Sequence, residues 1–348
     1  MSGTTGTTTG TTTGTTTGGG GAVGVGWGFV GTGGIARTVA QALQRADGGE
    51  LVAVCSRDAG RARAFADEHG AAGAYDDVAA MLADPAVDAV YVATTHPQHH
   101  APARAALLAG TPVLVEKPMT VTAAATRDLA ATARERGVFL MEAYWTRFLP
   151  LTRDLLDVVA SGAVGRVLSV HADLGFPAPE SARRFHDPEI GGGSLLDLGP
   201  YPVGLALTLL GAPSTVRAAG TLTPAGVDRQ VALSLAWESG AVAALSTTIA
   251  AQASSRAWVE GDAGWIEVDA PLHSGRRFTV HRSGAAEPEV HENPAEHGHR
   301  FMLEHVHECL VAGRTESPLV PLSWSVDLAD VFEAALTQVG AARNAEVL

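Results

Sequence analysis

The stretch that decides the fold is a loop of small residues, Gly31-Thr32-Gly33-Gly34-Ile35-Ala36. It follows the apolar run Trp27–Val30 and opens the stretch Ile35–Ala46, whose spacing of apolar residues predicts a helix. A G-x-G-x-x-G/A loop between a strand and a helix binds the pyrophosphate of a dinucleotide, because the free N–H groups of the helix N-terminus attract the anion. An earlier match, Gly26–Gly31, overlaps the strand itself, so we place the cofactor loop at residues 31–36.

Apolar runs that predict buried parallel strands alternate with helical stretches as far as residue 144. The predicted strands are Trp27–Val30, Leu51–Cys55, Ala89–Ala93, Pro112–Val115 and a strand beginning at Val138–Leu140. The predicted helices are Ile35–Ala46, Arg61–His69, Val78–Ala83, Ala101–Ala109 and 123–136, the last capped by Thr122 and followed by Gly137. This alternation predicts an α/β domain over residues 22–144, a Rossmann-type doubly wound parallel sheet that binds a dinucleotide.

The pattern changes after residue 144, and residues 145–348 predict a substrate-binding α+β domain with an open, largely antiparallel sheet. The predicted strands and helices of this part are Val231–Trp237, Ala241–Ile249, Trp258–Glu260, Trp265–Val268, 298–312 and 325–340. In the first of these strands large apolar residues alternate with Ala and Ser, so one face should pack on helices while the other stays flat. We expect the flat face to join two copies in a homodimer or higher homo-oligomer.

Composition excludes several classes of protein. The 24 basic residues are outnumbered by 37 acidic ones, and the formal net charge of −13 argues against nucleic acid or an anionic membrane surface as a partner. Cys55 and Cys309 are too few for a disulfide framework, which predicts a cytoplasmic protein. Residues 1–21 are almost entirely Thr and Gly and predict a flexible tail, because they cannot bury enough apolar surface to offset the entropy of ordering.

The residues after the second predicted strand bear on which dinucleotide binds. In NAD enzymes an acidic residue about 20 positions beyond the loop binds the ribose hydroxyls. Here the strand runs into Ser56 and Arg57. Ser56 removes the carboxylate that would repel a 2′-phosphate, and Arg57 can pair with one. The sequence therefore favours NADP(H); NAD(H) stays open because Asp58 could reach the ribose.

Lys117 is the one lysine in the chain, against 23 arginines. It directly follows the predicted strand Pro112–Val115, and ligands of open α/β sheets bind in the crevice at the carboxyl ends of the strands. Unlike Arg, a Lys ammonium is a compact charge whose pKa can shift. We therefore predict that Lys117 lies beside the nicotinamide and takes part in catalysis.

A second candidate group, Asp197 and Tyr201, follows three glycines, Gly191–Gly193. If Leu195–Leu209 is one helix, Asp197 and Tyr201 are four residues apart and share a face. Three glycines before an apolar helix that carries an Asp and a Tyr suggest a close approach to a ligand. A buried Tyr paired with Asp for packing alone remains the alternative.

Some of the histidines could instead bind a metal ion. The ligand-capable residues near the C-terminus are His291, Glu292, Glu296, His297, His299, His305 and His307. On a helix His305 and His307 would point to different faces, so we predict no metal. His96, His99 and His100 follow a strand end, where contact with the cofactor fits better.

The motifs together resemble the glucose–fructose oxidoreductase / inositol dehydrogenase / MocA family. Its first-domain motifs are matched by the loop 31–36, Ser56-Arg57, Ala93-Thr94-Thr95-His96-Pro97 with His99, and Glu116-Lys117-Pro118. The stretches 141–148 and 197–201 are most similar to the branch of dimeric dihydrodiol dehydrogenases and NADP-dependent D-xylose dehydrogenases. The resemblance covers about residues 26–340.

The resemblance implies an NADP(H)-dependent oxidoreductase that transfers a hydride between the nicotinamide and a carbinol or carbonyl carbon of a sugar, polyol or dihydrodiol. Lys117, Asp197 and Tyr201 would be catalytic, with Lys117 lowering the pKa of Tyr201 toward working pH; Lys117 could itself be the acid/base. The expected cofactor contacts are Gly31, Thr32, Gly33, Gly34, Ile35, Ala36, Ser56, Arg57, Thr94, His96, Pro97, His99, Glu116 and Lys117. The expected substrate contacts are Trp145, Arg147, Phe176 and Arg184. A cofactor- or sugar-sensing regulator on the same fold is the alternative.

Overall fold

The computed structural model describes residue 1, residues 24–293 and residues 298–342. The predicted tail, apart from Met1, thus lies outside the described residues. The first sheet has six parallel strands in the order β3-β2-β1-β4-β5-β6. Its strands are β1 (Val25–Val30), β2 (Gly49–Cys55), β3 (Gly73–Tyr75), β4 (Ala89–Val92), β5 (Val113–Val115) and β6 (Leu140–Glu142). The order steps outward from β1 in both directions, so the topological switch point lies between β1 and β4, as the doubly wound prediction requires.

The helices that connect these strands end where the sequence places capping residues. They are α1 (Gly34–Leu43), α2 (Ala59–His69), α3 (Val78–Leu82), α4 (His100–Ala109) and α5 (Ala123–Arg136). The predicted Thr122 cap is confirmed: its hydroxyl accepts the N–H of Ala125 at 3.2 Å. At the other end of α5 the chain reverses through Gly137, whose φ of 64° only glycine adopts readily.

The second sheet has eight strands in the order β14-β13-β12-β11-β7-β10-β9-β8. They are β7 (Val167–Gly175), β8 (Thr215–Leu222), β9 (Asp228–Ala236), β10 (Val242–Thr248), β11 (Ala257–Gly261), β12 (Gly264–Val268), β13 (Arg277–Arg282) and β14 (Glu289–Glu292). All neighbours are antiparallel except β7 and β10, which run parallel. The two predicted hairpins are confirmed as β9–β10 and β11–β12. Strands β7, β8, β13 and β14 were not predicted from the sequence.

The faces of this sheet differ as the alternation in β9 predicts. Val231, Leu233 and Leu235 are at most 3% exposed and pack against helices, whereas Ala232 and Ser234 between them are exposed. The exposed face is therefore built of small side chains in its centre.

Within the described residues, six further α-helices complete the fold, and one sequence expectation about them is wrong. They are α6 (Pro150–Ala160), α7 (Arg183–His186), α8 (Ser194–Leu198), α9 (Pro200–Leu210), α10 (Gly298–Val311) and α11 (Leu322–Val339). Leu195–Leu209 is not one helix: it breaks at Gly199, and the segments on either side meet at 50°. Pro200 has no N–H to continue α8, but its fixed φ suits the first position of α9.

Helix α10 is tied to the first sheet through His307. The indole N–H of Trp27, a fully buried residue of β1, donates to Nε2 of His307 at 2.9 Å. The other ring nitrogen of His307 donates to the backbone carbonyl of Asp47 at 2.6 Å. The histidine is neutral in this arrangement, since burial lowers its pKa. These two hydrogen bonds hold α10 against the first sheet.

Within the described residues no single helix is long and apolar enough to cross a membrane, although the bent pair Pro188–Leu198 and Pro200–Leu210 meets the criteria of length and composition.

Candidate active site

The glycine-rich loop forms an open cradle at the start of α1. Gly31 has a φ of +114°, and a Cβ there would lie 2.4 Å from the carbonyl oxygen of Ala93. At Gly33 and Gly34, by contrast, a Cβ would meet nothing within 4 Å, so space is left in front of the helix N-terminus. Ala36 is fully buried, where a small residue lets α1 pack closely on the sheet. The cradle fits the pyrophosphate of a dinucleotide, which needs free N–H groups at this position.

Ser56 and Arg57, the pair predicted to favour a 2′-phosphate, directly follow the carboxyl end of β2, and Asp58, the residue that could reach the ribose instead, comes next. Arg57 is exposed and has no ion pair with any residue that the structure describes. Asp58 is already engaged, since its carboxylate accepts the N–H of Arg61 at 2.9 Å and so caps α2. The geometry leaves Arg57 available to an anion and gives Asp58 a structural partner.

Lys117 and Asp197 come together across 80 positions of sequence. The ammonium of Lys117, just beyond the carboxyl end of β5, donates to the backbone carbonyl of Asp197 at 2.7 Å. The Asp197 carboxylate oxygen Oδ1 is 3.5 Å from the same nitrogen, and both side chains are 12% exposed. On the other side, Oδ2 accepts a hydrogen bond from Arg184 at 2.9 Å. Two cations therefore fix one carboxylate at the edge of the first sheet.

Tyr201 completes the group. It lies in the first turn of α9, 8% exposed, with the Lys117 nitrogen 5.2 Å from the centre of its ring. Its hydroxyl accepts a hydrogen bond from the indole N–H of Trp145 at 3.2 Å. The predicted trio of Lys117, Asp197 and Tyr201 is thus assembled, although through two helices rather than along one.

The charges of the trio act on one another. Burial works to lower the pKa of Lys117, but the negative charge of Asp197, together with those of Tyr201 and Glu116 where they are ionised, outweighs burial and raises that pKa. Burial works to raise the pKa of Asp197, and Lys117 and Arg184 hold it below its ordinary value. Lys117 and Asp197 are therefore both charged at neutral pH.

The expectation for the Tyr201 pKa is wrong in its net direction. Burial raises the pKa of Tyr201 above 10.0, and Lys117 and the Trp145 N–H offset only part of that rise. The phenol is therefore protonated at neutral pH.

The other predicted cofactor residues line the same edge in different ways. The ring nitrogen Nδ1 of His96 pairs with the carbonyl of Gly191 at 2.9 Å. Glu116 is buried and accepts the Tyr91 hydroxyl at 2.6 Å and the N–H of Lys117 at 3.1 Å. The side-chain hydroxyl of Thr94 donates to the carbonyl of Gln98 at 2.9 Å. The buried Glu116 carboxylate thereby fixes the backbone of Lys117.

His99 is placed differently from the prediction. It is fully buried, with Nδ1 at 3.0 Å from the carbonyl oxygen of Pro118 and Nε2 at 3.3 Å from that of Thr94. Burial lowers its pKa to about 3, so the ring is neutral. The side chain has no surface for a cofactor, because it braces the loop of Thr94 against the loop after Lys117.

The glycines before α8 also differ from expectation, because they approach the protein's own groups. A Cβ at Gly191 would lie 2.8 Å from the side chain of His96 and one at Gly192 2.9 Å from the backbone of Asp187. A Cβ at Gly193 would lie 2.1 Å from a carboxylate oxygen of Asp228. The three residues let α8 approach its neighbours closely.

Of the predicted substrate residues, the structure brings two to the trio. Trp145 contacts Tyr201 and Arg184 contacts Asp197, as described above. Phe176 packs edge-to-face on Phe185, with ring centres 5.3 Å apart. The ring of Phe185 in turn lies 4.3 Å beneath the guanidinium of Arg184, so Phe176 belongs to the wall behind Arg184.

Arg147, the remaining predicted substrate residue, makes no hydrogen bond or ion pair with Lys117, Asp197 or Tyr201 in the part of the chain that the structure describes. Burial lowers the pKa of its guanidinium, and the charges that act on it are those of Tyr144, Arg153 and Asp157. Two of these residues, Arg153 and Asp157, belong to α6.

Two histidines lie beside the aromatic residues of the site: His273, which sequence reasoning did not single out, and His299, which it considered only as a metal ligand. The ring of His273 lies 4.7 Å from that of Tyr201, and His299 stacks on Trp145 at 4.7 Å. Burial and the nearby Lys117 lower the pKa of His273 to about 4. His273 lies in the connection between β12 and β13 with no motif around it, so nothing in the sequence pointed to it.

The described part of the chain holds no group of three or more His, Cys, Asp or Glu side chains that could bind a metal ion. Of the ligand-capable cluster considered from the sequence, Glu296 and His297 lie outside the described residues.

Comparison with known protein families gives two matches. Residues 25–144 match the model described as "Oxidoreductase family, NAD-binding Rossmann fold" (GFO_IDH_MocA), and residues 152–267 match the GFO/IDH/MocA C-terminal domain. Together the matches cover both sheets as far as β12 and include Lys117, Asp197 and Tyr201.

Relatives over most of the chain carry enzyme names. Trans-1,2-dihydrobenzene-1,2-diol dehydrogenase of Oryctolagus cuniculus is 35% identical over 311 residues, 87% of this chain and 94% of that protein. Among solved structures, aldose-aldose oxidoreductase from Caulobacter crescentus, complexed with glycerol, has a TM-score of 0.82 at 26% identity, covering 90% of this chain and 97% of that one. KijD10, a 3-ketoreductase from Actinomadura kijaniata in complex with NADP and TDP-benzene, has a TM-score of 0.79 at 25% identity, covering 93% and 100%.

Proposed function

Because the chain belongs to the GFO/IDH/MocA family of NAD(P)-dependent oxidoreductases, we propose that it is an NADP(H)-dependent dehydrogenase or reductase whose substrate is a sugar, a polyol or a dihydrodiol. The observation that carries the proposal is the Lys117 ammonium, held between the Asp197 carbonyl and the Tyr201 ring at the carboxyl end of β5. The relatives' names, a dihydrodiol dehydrogenase and an aldose oxidoreductase, support hydroxylated carbon as the reacting group.

The residues present suit the proposed cofactor. The open cradle at Gly33 and Gly34 would hold the pyrophosphate, and Arg57 would pair with a 2′-phosphate. Lys117 would contact the nicotinamide ribose. When bound, NADP(H) supplies or accepts the hydride.

Proton transfer falls to Tyr201 in this proposal. The raised pKa keeps the phenol protonated at neutral pH, so Tyr201 carries the proton that it would give to the oxygen of a carbonyl substrate in the direction of reduction. The ammonium of Lys117 stabilises the negative charge that develops on that oxygen, and Asp197 keeps the ammonium in place. The indole of Trp145 orients the Tyr201 hydroxyl.

Titration of the cofactor tests the proposal first. We expect the protein to bind NADPH more tightly than NADH. The change in its intrinsic fluorescence on titration gives both dissociation constants. Arg57→Ala should weaken NADPH binding about 10- to 100-fold, because a hydrogen bond to a charged group contributes about 1.5–3 kcal/mol, and leave NADH unchanged. Arg45→Ala, a substitution of another exposed arginine in the same domain, is the matched control.

Two results would contradict this reading. Equal affinities for the two dinucleotides would remove the role of Arg57, and absence of binding of either would remove the cofactor site at residues 31–36. Tight NADPH binding would be followed by oxidation assays with NADP⁺ and a panel of aldoses, polyols and trans-dihydrodiols.

We further propose that the exposed face of the second sheet joins two copies of the chain. Ala232, Ser234 and Ala244 are exposed in the middle of that face and offer a flat surface to an identical one. Light scattering during size-exclusion chromatography at micromolar concentration should give twice the chain mass of 35.7 kDa. Ala244→Arg should give monomers, because the symmetry places two such charges in one interface; Ala131→Arg, on an exposed face of α5, should not. A wild-type monomer would end this proposal.

A further inference from the structure

A buried carboxylate outside the catalytic trio holds the beginning of α8. Asp228, the first residue of β9, is 1% exposed. Its Oδ2 accepts the backbone N–H of Leu195 at 2.7 Å and the hydroxyl of Ser194 at 2.8 Å. The Ser194 oxygen is also 2.9 Å from the hydroxyl of Thr247 on β10. A negative charge at a helix N-terminus is favourable, and here it joins two strands of the sheet to the helix.

The chain before the helix is shaped around this carboxylate. Gly193 has a φ of +124°, and a Cβ there would lie 2.1 Å from Oδ1 of Asp228. Both carboxylate oxygens are thus in close contact with the segment that opens α8. The helix has little freedom to shift along the sheet while Asp228 is in place.

The position of α8 determines where the Lys117 ammonium lies, because the ammonium is bonded to a backbone oxygen of this helix. The shorter of its two contacts with Asp197, 2.7 Å, is with the backbone carbonyl and not with the carboxylate. A side chain can change rotamer to follow a partner, but a carbonyl oxygen moves only with its helix. The chain then passes through Gly199 into α9, where Tyr201 lies.

We propose that Asp228 is a positioning residue for the reaction: by fixing the N-terminus of α8 it sets where the Lys117 ammonium stands relative to Tyr201. Among the described residues Asp228 makes no hydrogen bond or ion pair with Lys117 or Tyr201, and it acts on them through α8. The expected effect of Asp228 on kcat rests on the proposed function. The expected effect on the position of the Lys117 ammonium does not. Burial raises the pKa of Asp228 to about 6, so the carboxylate is ionised at neutral pH and accepts both hydrogen bonds.

The single lysine makes the test direct. Protein labelled with ¹⁵N at the lysine side chain gives one ammonium signal, that of Lys117. In the wild type we expect a protected signal, because the group is buried and hydrogen-bonded. In Asp228→Asn we expect the signal to shift and to exchange with water at least tenfold faster. With an identified substrate, kcat should fall at least tenfold while the KM for NADPH stays within twofold.

Glu316→Gln is the matched control. Its carboxylate Oε2 accepts the N–H of Leu322, the first residue of α11, at 2.9 Å, so the substitution changes the same kind of helix cap at another place. It should leave both the Lys117 signal and kcat within twofold of the wild type. If both variants lose equal thermal stability, only Asp228→Asn should move the Lys117 signal.

Ser194→Ala is a milder second variant, to be measured if Asp228→Asn does not fold. It removes the hydroxyl link to Asp228 and Thr247 but keeps the bond from Leu195 to the carboxylate. We expect Lys117 to exchange at least threefold faster in this variant. A folded Asp228→Asn or Ser194→Ala protein with the wild-type Lys117 signal overturns the proposal. A wild type that turns over no substrate would count against the proposed function alone, because the Lys117 signal is read without turnover.

Discussion

Lys117→Ala should lower kcat by a factor of about 100 to 1,000, the cost of removing one preorganised group that stabilises developing negative charge. The ammonium is 12% exposed and is held by Asp197, so no water molecule can replace it with the same charge and position. Arginine is no conservative replacement here, because its planar fork does not fit a site shaped for one nitrogen. Stopped-flow measurement of NADPH formation from an identified substrate gives the rate.

Two controls separate loss of the ammonium from loss of structure. Addition of methylammonium or ethylammonium to Lys117→Ala should restore part of kcat, in an order that follows the fit of each amine to the vacated space. The affinity for NADPH should fall far less than kcat, because the cradle and Arg57 are unchanged. A kcat within tenfold of the wild type would show that Lys117 has no part in the chemical step.

Tyr201→Phe should reduce kcat by a factor of about 100 to 10,000, as expected for loss of a general acid–base group. The substitution removes one oxygen and keeps the ring that packs against His273 and Trp145, so the fold should be preserved. Because burial raises the pKa of the phenol, oxidation by the wild type should become faster as the pH rises. The same rise should be absent in the variant. Rates of alcohol oxidation between pH 6 and about pH 10, near the ordinary pKa of tyrosine, test this.

This pH profile also decides between the two proton donors that the sequence left open. If Lys117 were the acid–base group, Tyr201→Phe would keep the pH dependence and lose less than tenfold in kcat. Tyr144→Phe is the matched control, since its ring centre is 6.5 Å from that of Tyr201 and the same single oxygen is removed. It should leave the pH profile unchanged.

The first sheet could be predicted because its signals are local. An apolar strand, a loop of glycines and a helix follow one another directly in residues 25–43, so the pattern alone indicates the fold and the cofactor cradle. Lys117 was found for a similar reason: it follows a recognisable strand, and no other lysine competes with it. The start and end of α5 were equally readable from Thr122 and Gly137, because capping depends on the residue at the helix terminus.

The second half was less readable, since its strands pair over long distances. Strand β7 lies between β10 and β11, some 70 to 90 positions later in the chain, and its alternation is less regular than that of β9. The prediction of one helix over 195–209 failed because periodicity continues across Gly199, whereas the backbone breaks where Pro200 has no N–H to donate.

By itself, the sequence determined the five helices of the first domain, every strand of its sheet except the three-residue β3, the cradle for a dinucleotide and the residue types of the site. Only the tertiary structure decided how those residues act. It placed the Lys117 ammonium on the Asp197 carbonyl, raised the pKa of Tyr201 by burial, turned His99 inward and brought His273 and Asp228 to the helices of the site. The physical reason is that pKa values and hydrogen bonds depend on which distant segments meet and how much water they exclude, and local sequence carries neither quantity.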